Sequence, residues 1–101
     1  MLVSPVRSKN GIPIRLTEER WAHIIEEHPE LNPFRTAVLE TIITPERILQ
    51  GGKDELLALK EIETGKWLVV IYREFEDDGF IITAFLTRRA NSLNRRRQLW
   101  P

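Results

Sequence analysis

Hydrophobic residues in the first third of the chain recur with the period of an α-helix. The i, i+3, i+4, i+7 spacing predicts one buried stripe, made of Trp21, Ile24, Ile25 and His28. Thr17 precedes this stripe as a suitable N-cap, and Pro29 disfavours helical geometry at the residue before it. We therefore predict a first helix that begins after Thr17 and ends at about His28.

A second helical pattern follows at once. Asn32 is a good N-cap, and Pro33 fits the first position of a helix. The apolar stripe that follows comprises Phe34, Ala37, Val38, Thr41 and Ile42. We predict a second helix over 33–43, preceded in the chain by a short extended edge segment over 12–16.

Beyond Glu55 the pattern changes from helical to extended. Residues 66–73 are rich in β-branched and aromatic side chains, which favours a strand. Residues 56–63 are ambiguous by themselves, but Thr64-Gly65 separates them from 66–73 as a tight hairpin turn would. Residues 80–87 are apolar on both faces, which is typical of a central strand.

The order of these elements predicts a single α+β domain over residues 1–101. We expect two N-terminal helices packed on a three- to four-stranded antiparallel sheet, because helices followed by a run of strands are typical of this class. The ends, 1–11 and 90–101, are expected to be irregular. An apolar fraction of 42% in 101 residues suffices for one core.

Composition narrows the class of protein further. The chain has no cysteine, so disulfides and thiolate metal sites are excluded. The N-terminal residues are too short and too broken for a signal peptide, and no apolar run approaches the length of a membrane helix. We expect a soluble cytoplasmic protein without a membrane partner.

The charges sum to zero but are unevenly distributed. Residues 1–16 carry +3 and residues 81–101 carry +5 without an acid, so residues 17–80 carry −8. A basic patch suits phosphate, whereas overall neutrality argues against strong nonspecific nucleic-acid binding. Arg88 and Arg89 are candidate nucleic-acid contacts. The run over 95–97 is either a solvated tail or a segment that pairs with the acidic middle.

Both histidines lie in the first predicted helix, and histidine titrates near neutral pH. His28, on the apolar stripe, either closes the core as a half-buried residue or acts as a general acid or base in a cleft. His23, on the opposite face, is either solvated or has that catalytic role. Because the two are five residues apart, their side chains diverge, and no metal site is expected.

The predicted strands add polar residues that suit phosphodiester chemistry. Metal-free RNA cleavage needs a base, an acid and cations or donors for the phosphate, while the 2′-hydroxyl supplies the nucleophile. Thr83 shares a predicted strand face with Ile81, and Arg73 and Lys60 lie in the neighbouring strands. The alternatives are that Thr83 only packs in the sheet and that both cations are solvated strand-end charges.

Four motifs occur in order along the chain: R-L-T-E-E-R-W-A-H-I-I-E-E-H-P-E-L, V-L-E-T-I-I-T-P-E-R-I, W-L-V-V-I-Y-R and G-F-I-I-T-A-F-L-T-R-R. Over residues 12–89 they resemble the small phage- and toxin-associated proteins of the barnase, EndoU, colicin and RelE-like (BECR) nuclease superfamily. The resemblance implies N-terminal helices on a four-stranded antiparallel sheet. It also implies a metal-independent ribonuclease that uses no cofactor.

The resemblance further implies a set of catalytic residues. His23 and His28 are the expected general acid and base. Arg73 is expected to clamp the phosphate or the transition state, and Thr83 to orient the phosphate as a donor. Lys60 is a weaker candidate.

The expected function is therefore RNA cleavage by general acid–base chemistry, in a toxin or prophage accessory protein. If the protein is such a toxin, an antitoxin is one expected binding partner. The alternative is a non-catalytic binding module of the same fold that engages a protein or a nucleic acid. A third reading is a structural domain that forms a homodimer through an exposed edge strand.

Overall fold

The computed structural model describes residues 5–101. The two α-helices are α1 (Glu18–Glu27) and α2 (Arg35–Ile43), and 3₁₀ helices cover Pro29–Phe34 and Ala90–Leu93. The strands are β1 (Val6–Arg7), β2 (Pro13–Arg15), β3 (Arg47–Gln50), β4 (Glu55–Glu63), β5 (Lys66–Glu74), β6 (Gly79–Thr87) and β7 (Gln98–Trp100). Within the described residues, no helix is long and apolar enough to cross a membrane.

The seven strands of residues 5–101 form one mixed sheet in the order β1-β2-β6-β5-β4-β3-β7. The strands β3, β4, β5 and β6 pair antiparallel with one another in that order, whereas β2 pairs parallel with β6. The sheet is curled. The evidence is that the Lys9 ammonium group, in the turn after β1, lies 4.3 Å from the centre of the Trp100 ring in β7. These two strands stand at opposite ends of the strand order.

The predicted fold class is wrong. The sheet has seven strands rather than three or four, it is mixed rather than antiparallel, and β1 and β2 precede the helices. The four strands outside the predicted sheet are only two to four residues long, too short to carry a period-2 signal. One of them, β2, lies in the extended segment predicted over 12–16, but between β1 and β6 rather than at an edge. Two of them lie in the ends predicted to be irregular, at 6–7 and 98–100. Residues 1–4 of that prediction lie outside the described residues.

The α1 helix begins and ends where the sequence predicts. The Thr17 side chain accepts a hydrogen bond from the Arg20 backbone N–H at 3.0 Å, and the His28 N–H donates to the Ile24 carbonyl. Next to this cap, Glu18 accepts two hydrogen bonds from Arg35, which lower the pKa of the Glu18 carboxyl. The helix start is therefore fixed by a local cap and by one contact with α2.

The main core lies between the helices and one face of the sheet. Its fully buried side chains include Ile24, Leu31, Val38, Ile42, Ala58, Leu68, Val70, Tyr72 and Ala84. The opposite face, which we call the outer face, carries a smaller cluster made of Leu49, Leu57, Leu59 and Val69. Leu93 packs on this cluster because the chain leaving β6 must cross the sheet to reach β7 at the far edge. Trp67, Ile71 and Phe85 stay half-buried on the outer face.

A β-bulge in β6 determines which of its side chains reach the outer face. Ile71 pairs with Thr83, but the next residue, Tyr72, pairs with Ile81, so Ile82 is an extra residue. Ile81 therefore packs in the helix-side core, whereas Thr83 lies opposite Ile71 on the outer face. The simple alternation that predicted Ile81 and Thr83 on one face is wrong, because a bulge shifts the alternation by one residue.

Candidate functional site on the outer face

The α1 helix runs alongside β6 and brings its C-terminal end to the outer face. Arg20 lines a shallow depression with Phe80 and Ile81, and the His28 ring lies 6.5 Å from the Phe85 ring. From Arg20 to His28 the helix rises about 12 Å, and from Ile81 to Phe85 the strand rises about 13 Å. The helix and the strand therefore run side by side over this length, and His28 lies beside Phe85 on the outer face.

His28 is held in a partly open position at this end of the helix. Its side chain is 35% exposed, and its Nδ1 atom lies 3.6 Å from Oε2 of Glu30. This distance is too long for a hydrogen bond, so Glu30 places a negative charge near Nδ1 without fixing the tautomer of the ring. Nε2 makes no hydrogen bond to any residue of the described chain.

Thr83 and Arg73 lie further along the same face. Thr83 is opposite Ile71, and Arg73 lies two residues beyond Ile71 in β5. Phe85 lies two residues from Thr83 in the direction away from Arg73. Along the strands, Thr83 is therefore about 7 Å from the level of Arg73 and about 7 Å from the level of Phe85. The levels of Phe85 and Arg73 are thus about 13 Å apart along the strands with Thr83 between them, and the His28 ring lies beside Phe85.

Arg73 has hydrogen-bonding capacity that its protein contacts do not use. Its guanidinium carbon lies 5.5 Å from the centre of the Phe75 ring, and its nearest carboxylate, that of the exposed Asp54, is 4.0 Å away. Its Nε atom is buried and makes no hydrogen bond within the described residues. Burial keeps this N–H from solvent, so an oxyanion that approaches the outer face would meet the exposed remainder of the guanidinium, since the side chain as a whole is 36% exposed.

Two of the predicted site residues lie away from this face. The Lys60 side chain points to the helix side of the sheet, where its Nζ donates to the Thr44 hydroxyl at 3.0 Å. His23 is exposed on another side of α1, with its Nε2 atom 3.2 Å from Glu27. The structure brings neither residue to Thr83, although whether any of these residues is catalytic stays a prediction.

Arg88 and Arg89 follow β6 directly and are exposed. The Arg89 N–H donates to the Thr87 hydroxyl at 3.0 Å, and the Arg89 carbonyl accepts from the Ser92 hydroxyl at 2.7 Å. These bonds fix the backbone where the chain turns onto the outer face. Both guanidinium groups are without an ion pair in the part of the chain that the structure describes.

Sequence reasoning missed two residues at this site. Glu30 was not predicted to act with His28, although it follows His28 by two residues and therefore lies within reach of the ring. Arg20 was not singled out either, yet it flanks β6 on the same helix. Its spacing of three residues before His23 and eight before His28 was the available signal.

A metal site does not form among the described residues. Over 5–101, no three His, Asp or Glu side chains are grouped so that they would hold a metal ion. The chemistry available on the outer face is that of imidazole, hydroxyl and guanidinium groups.

Comparisons with protein-family models, curated proteins and solved structures found no match to this chain. The resemblance to the BECR nucleases therefore stays a prediction.

Proposed function

We propose that this protein is a metal-independent endoribonuclease that cleaves RNA on the outer face. The observation that supports this proposal is the alignment of His28, Thr83 and Arg73 on one open surface. His28 offers a base with the Glu30 carboxylate near its Nδ1 atom, Thr83 offers a hydroxyl donor, and Arg73 offers a partly exposed guanidinium. These are the parts that a metal-free phosphodiester site requires.

In this mechanism, Nε2 of His28 takes the proton from the 2′-hydroxyl as that oxygen attacks phosphorus. The Thr83 hydroxyl donates to a non-bridging oxygen, and Arg73 stabilises the negative charge that develops there. The 5′-oxygen leaves and takes a proton from water, because His23 lies on another side of α1. The products are a 2′,3′-cyclic phosphate and a 5′-hydroxyl.

The flanking arginines extend this surface. Arg88 and Arg89, at the end of β6, would contact phosphates next to the cleaved one, so the affinity for RNA should fall as salt rises. The absence of cysteine fits a reducing compartment, and we place the reaction in the cytoplasm. An antitoxin partner stays a prediction of the resemblance alone.

The test compares two histidine variants from the same helix in excess EDTA. His28→Ala should lower the cleavage rate by about 100-fold or more, the usual contribution of a general base. His23→Ala is the matched control and should cleave as the wild type does. The plot of kcat/KM against pH should show one ionisation rather than a bell, since one protein group transfers the proton.

Equal cleavage by both variants would remove His28 from the mechanism. No cleavage by folded wild-type protein would favour the alternative function, a non-catalytic binding module for a protein or a nucleic acid. The separation of about 13 Å along the strands between Arg73 and Phe85, beside which His28 lies, is the observation that favours this alternative. RNA binding that weakens steeply with salt but leaves the RNA intact would support it.

A further inference from the structure

Two large exposed hydrophobic side chains lie at one end of the sheet, where β5 ends and β6 begins. Three large hydrophobic side chains are exposed in the described chain: Phe75 (51%), Leu99 (44%) and Ile43 (44%). Phe75 lies in the turn between β5 and β6, and Leu99 lines a cavity with Glu74 at the same end. Ile43 ends α2, next to the Thr44 that bonds Lys60, and so lies towards the opposite end.

The β5–β6 turn combines this phenyl ring with free carboxylates. The Phe75 ring stacks on Phe80 at a centroid distance of 5.9 Å, which supports it from below. Glu74 accepts hydrogen bonds from Ser8 and Asn10, and Asp78 pairs with Arg15. Glu76 and Asp77, in contrast, are exposed and form no ion pair in the described chain, so the turn presents a phenyl group beside two unpaired negative charges.

A basic counterpart lies at the same end, beside β3 and β7. Arg95, Arg96 and Arg97 are all exposed, and the Arg97 carbonyl accepts the Gln50 N–H and so fixes this segment to β3. None of the three guanidinium groups pairs with a carboxylate of the described residues. An acidic aromatic turn and a basic strip therefore share one end of the molecule.

A cavity of about 390 Å³ lies beside this basic strip. Leu56 and Leu99 give it apolar walls, and Arg97 stands on its rim. Gln50, Asp54, Glu55 and Glu74 also line it, so most of its lining is polar. A carboxylate in the cavity would meet three like charges, whereas a phenyl ring could pack against Leu56 and Leu99. A ring that enters the cavity would leave any flanking carboxylates outside, against the arginines.

We propose that two copies of this chain associate through this end. The Phe75 ring of one copy enters the cavity of the other, while Glu76 and Asp77 contact the strip over 95–97. In a two-fold dimer each such contact occurs twice, because the turn of either copy meets the strip of the other. The zero net charge of the chain removes overall repulsion between copies. The unpaired carboxylates of the turn are complementary to the arginine strip, whereas the carboxylates of Asp54, Glu55 and Glu74 line the cavity itself and oppose the approach of further negative charge.

Sedimentation velocity over a range of concentrations tests this proposal. Wild-type protein should form a concentration-dependent dimer whose dissociation constant rises with salt. Phe75→Ser should raise that constant at least tenfold. Ile43→Ser, which changes a similarly exposed residue near the other end, is the matched control and should leave it unchanged.

Charge reversal gives a test that does not depend on the stability of one variant. The Glu76→Lys/Asp77→Lys protein and the Arg96→Glu/Arg97→Glu protein should each be monomeric, since each brings like charges together. An equimolar mixture should form a heterodimer, because both contacts are then between opposite charges.

Several results would overturn the proposal. They are a wild-type monomer at all concentrations, a dimer that Phe75→Ser leaves unchanged, and a mixture that stays monomeric. A wild-type monomer would leave the acidic aromatic turn for a different basic partner. None of these measurements uses RNA, so their outcome is independent of the proposed ribonuclease activity.

Discussion

Replacing Gly79 with alanine should destabilise the fold because three strands meet at this residue. Gly79 is buried, pairs with Ile14 of β2 on one side and with Glu74 of β5 on the other, and begins β6. An added Cβ would lie 2.4 Å from the Arg73 carbonyl oxygen and 2.6 Å from the Ile14 Cδ1 atom. Both neighbours are ordered parts of the sheet, and the Ile14 side chain is fully buried.

The size of the effect follows from how far these atoms must move. The Arg73 carbonyl must withdraw by about 0.6 Å before its contact reaches 3.0 Å, below which Cβ contacts essentially do not occur. That movement displaces β5, since the clash is with backbone rather than with a flexible side-chain end. Overpacking of this kind costs roughly 1–3 kcal/mol, and two simultaneous contacts place Gly79→Ala at about 2 kcal/mol or more.

Urea denaturation followed by tryptophan fluorescence measures this loss. With a slope of about 2 kcal/mol/M, a loss of about 2 kcal/mol lowers the midpoint by about 1 M. Gly52→Ala is the matched control, because nothing lies within 4 Å of its added Cβ. We expect it to change stability by no more than about 0.5 kcal/mol. Equal midpoints for the two variants would refute the close approach of β5 to Gly79.

Two further predictions concern Tyr72 and Lys60. Tyr72 is the single tyrosine, and its burial raises the pKa of its phenol above the ordinary value of 10.0. The unfolded chain then loses this proton first, so the contribution of Tyr72 to stability is intact below pH 10 and falls by about 1.4 kcal/mol per pH unit above it. Tyr72→Phe should remove the part of the loss of unfolding free energy above pH 10 that Tyr72 causes. Tyrosinate absorbance that develops while the wild-type protein is still folded would contradict the prediction. The Lys60→Met protein should cleave RNA as the wild type does, because the Lys60 amine donates to Thr44 on the helix side. A tenfold lower cleavage rate would show that Lys60 takes part in the reaction.

The elements with strong local signals were predictable from the sequence. Thr17 caps α1 as its residue type and position indicate, and the strands β4 to β6 lie where the pattern changes to extended. The α2 helix begins at Arg35, two residues later than predicted, because a 3₁₀ helix covers Pro29–Phe34. In each case, the determining interactions lie within a few residues along the chain.

The candidate site was predictable in its residue types but not in its geometry. Sequence spacing put both histidines on one helix and Thr83, Arg73 and Lys60 on strands. Only the sheet register shows that Thr83 and Arg73 share the outer face while Lys60 faces the helices. The bulge at Ile82 puts Thr83 on the outer face, and no residue type in the strand predicts an extra residue there.

The sequence by itself therefore determined the helices, the long strands and the chemistry of the polar groups, since these depend on local periodicity, capping and residue type. The tertiary structure alone decided the seven-stranded mixed sheet. Short strands such as Val6–Arg7 and Gln98–Trp100 have no local signal and exist because a longer partner supplies their hydrogen bonds. The tertiary structure also decided that His28 lies at the outer face. This position depends on the packing of α1 beside β6, and these two elements are far apart along the chain.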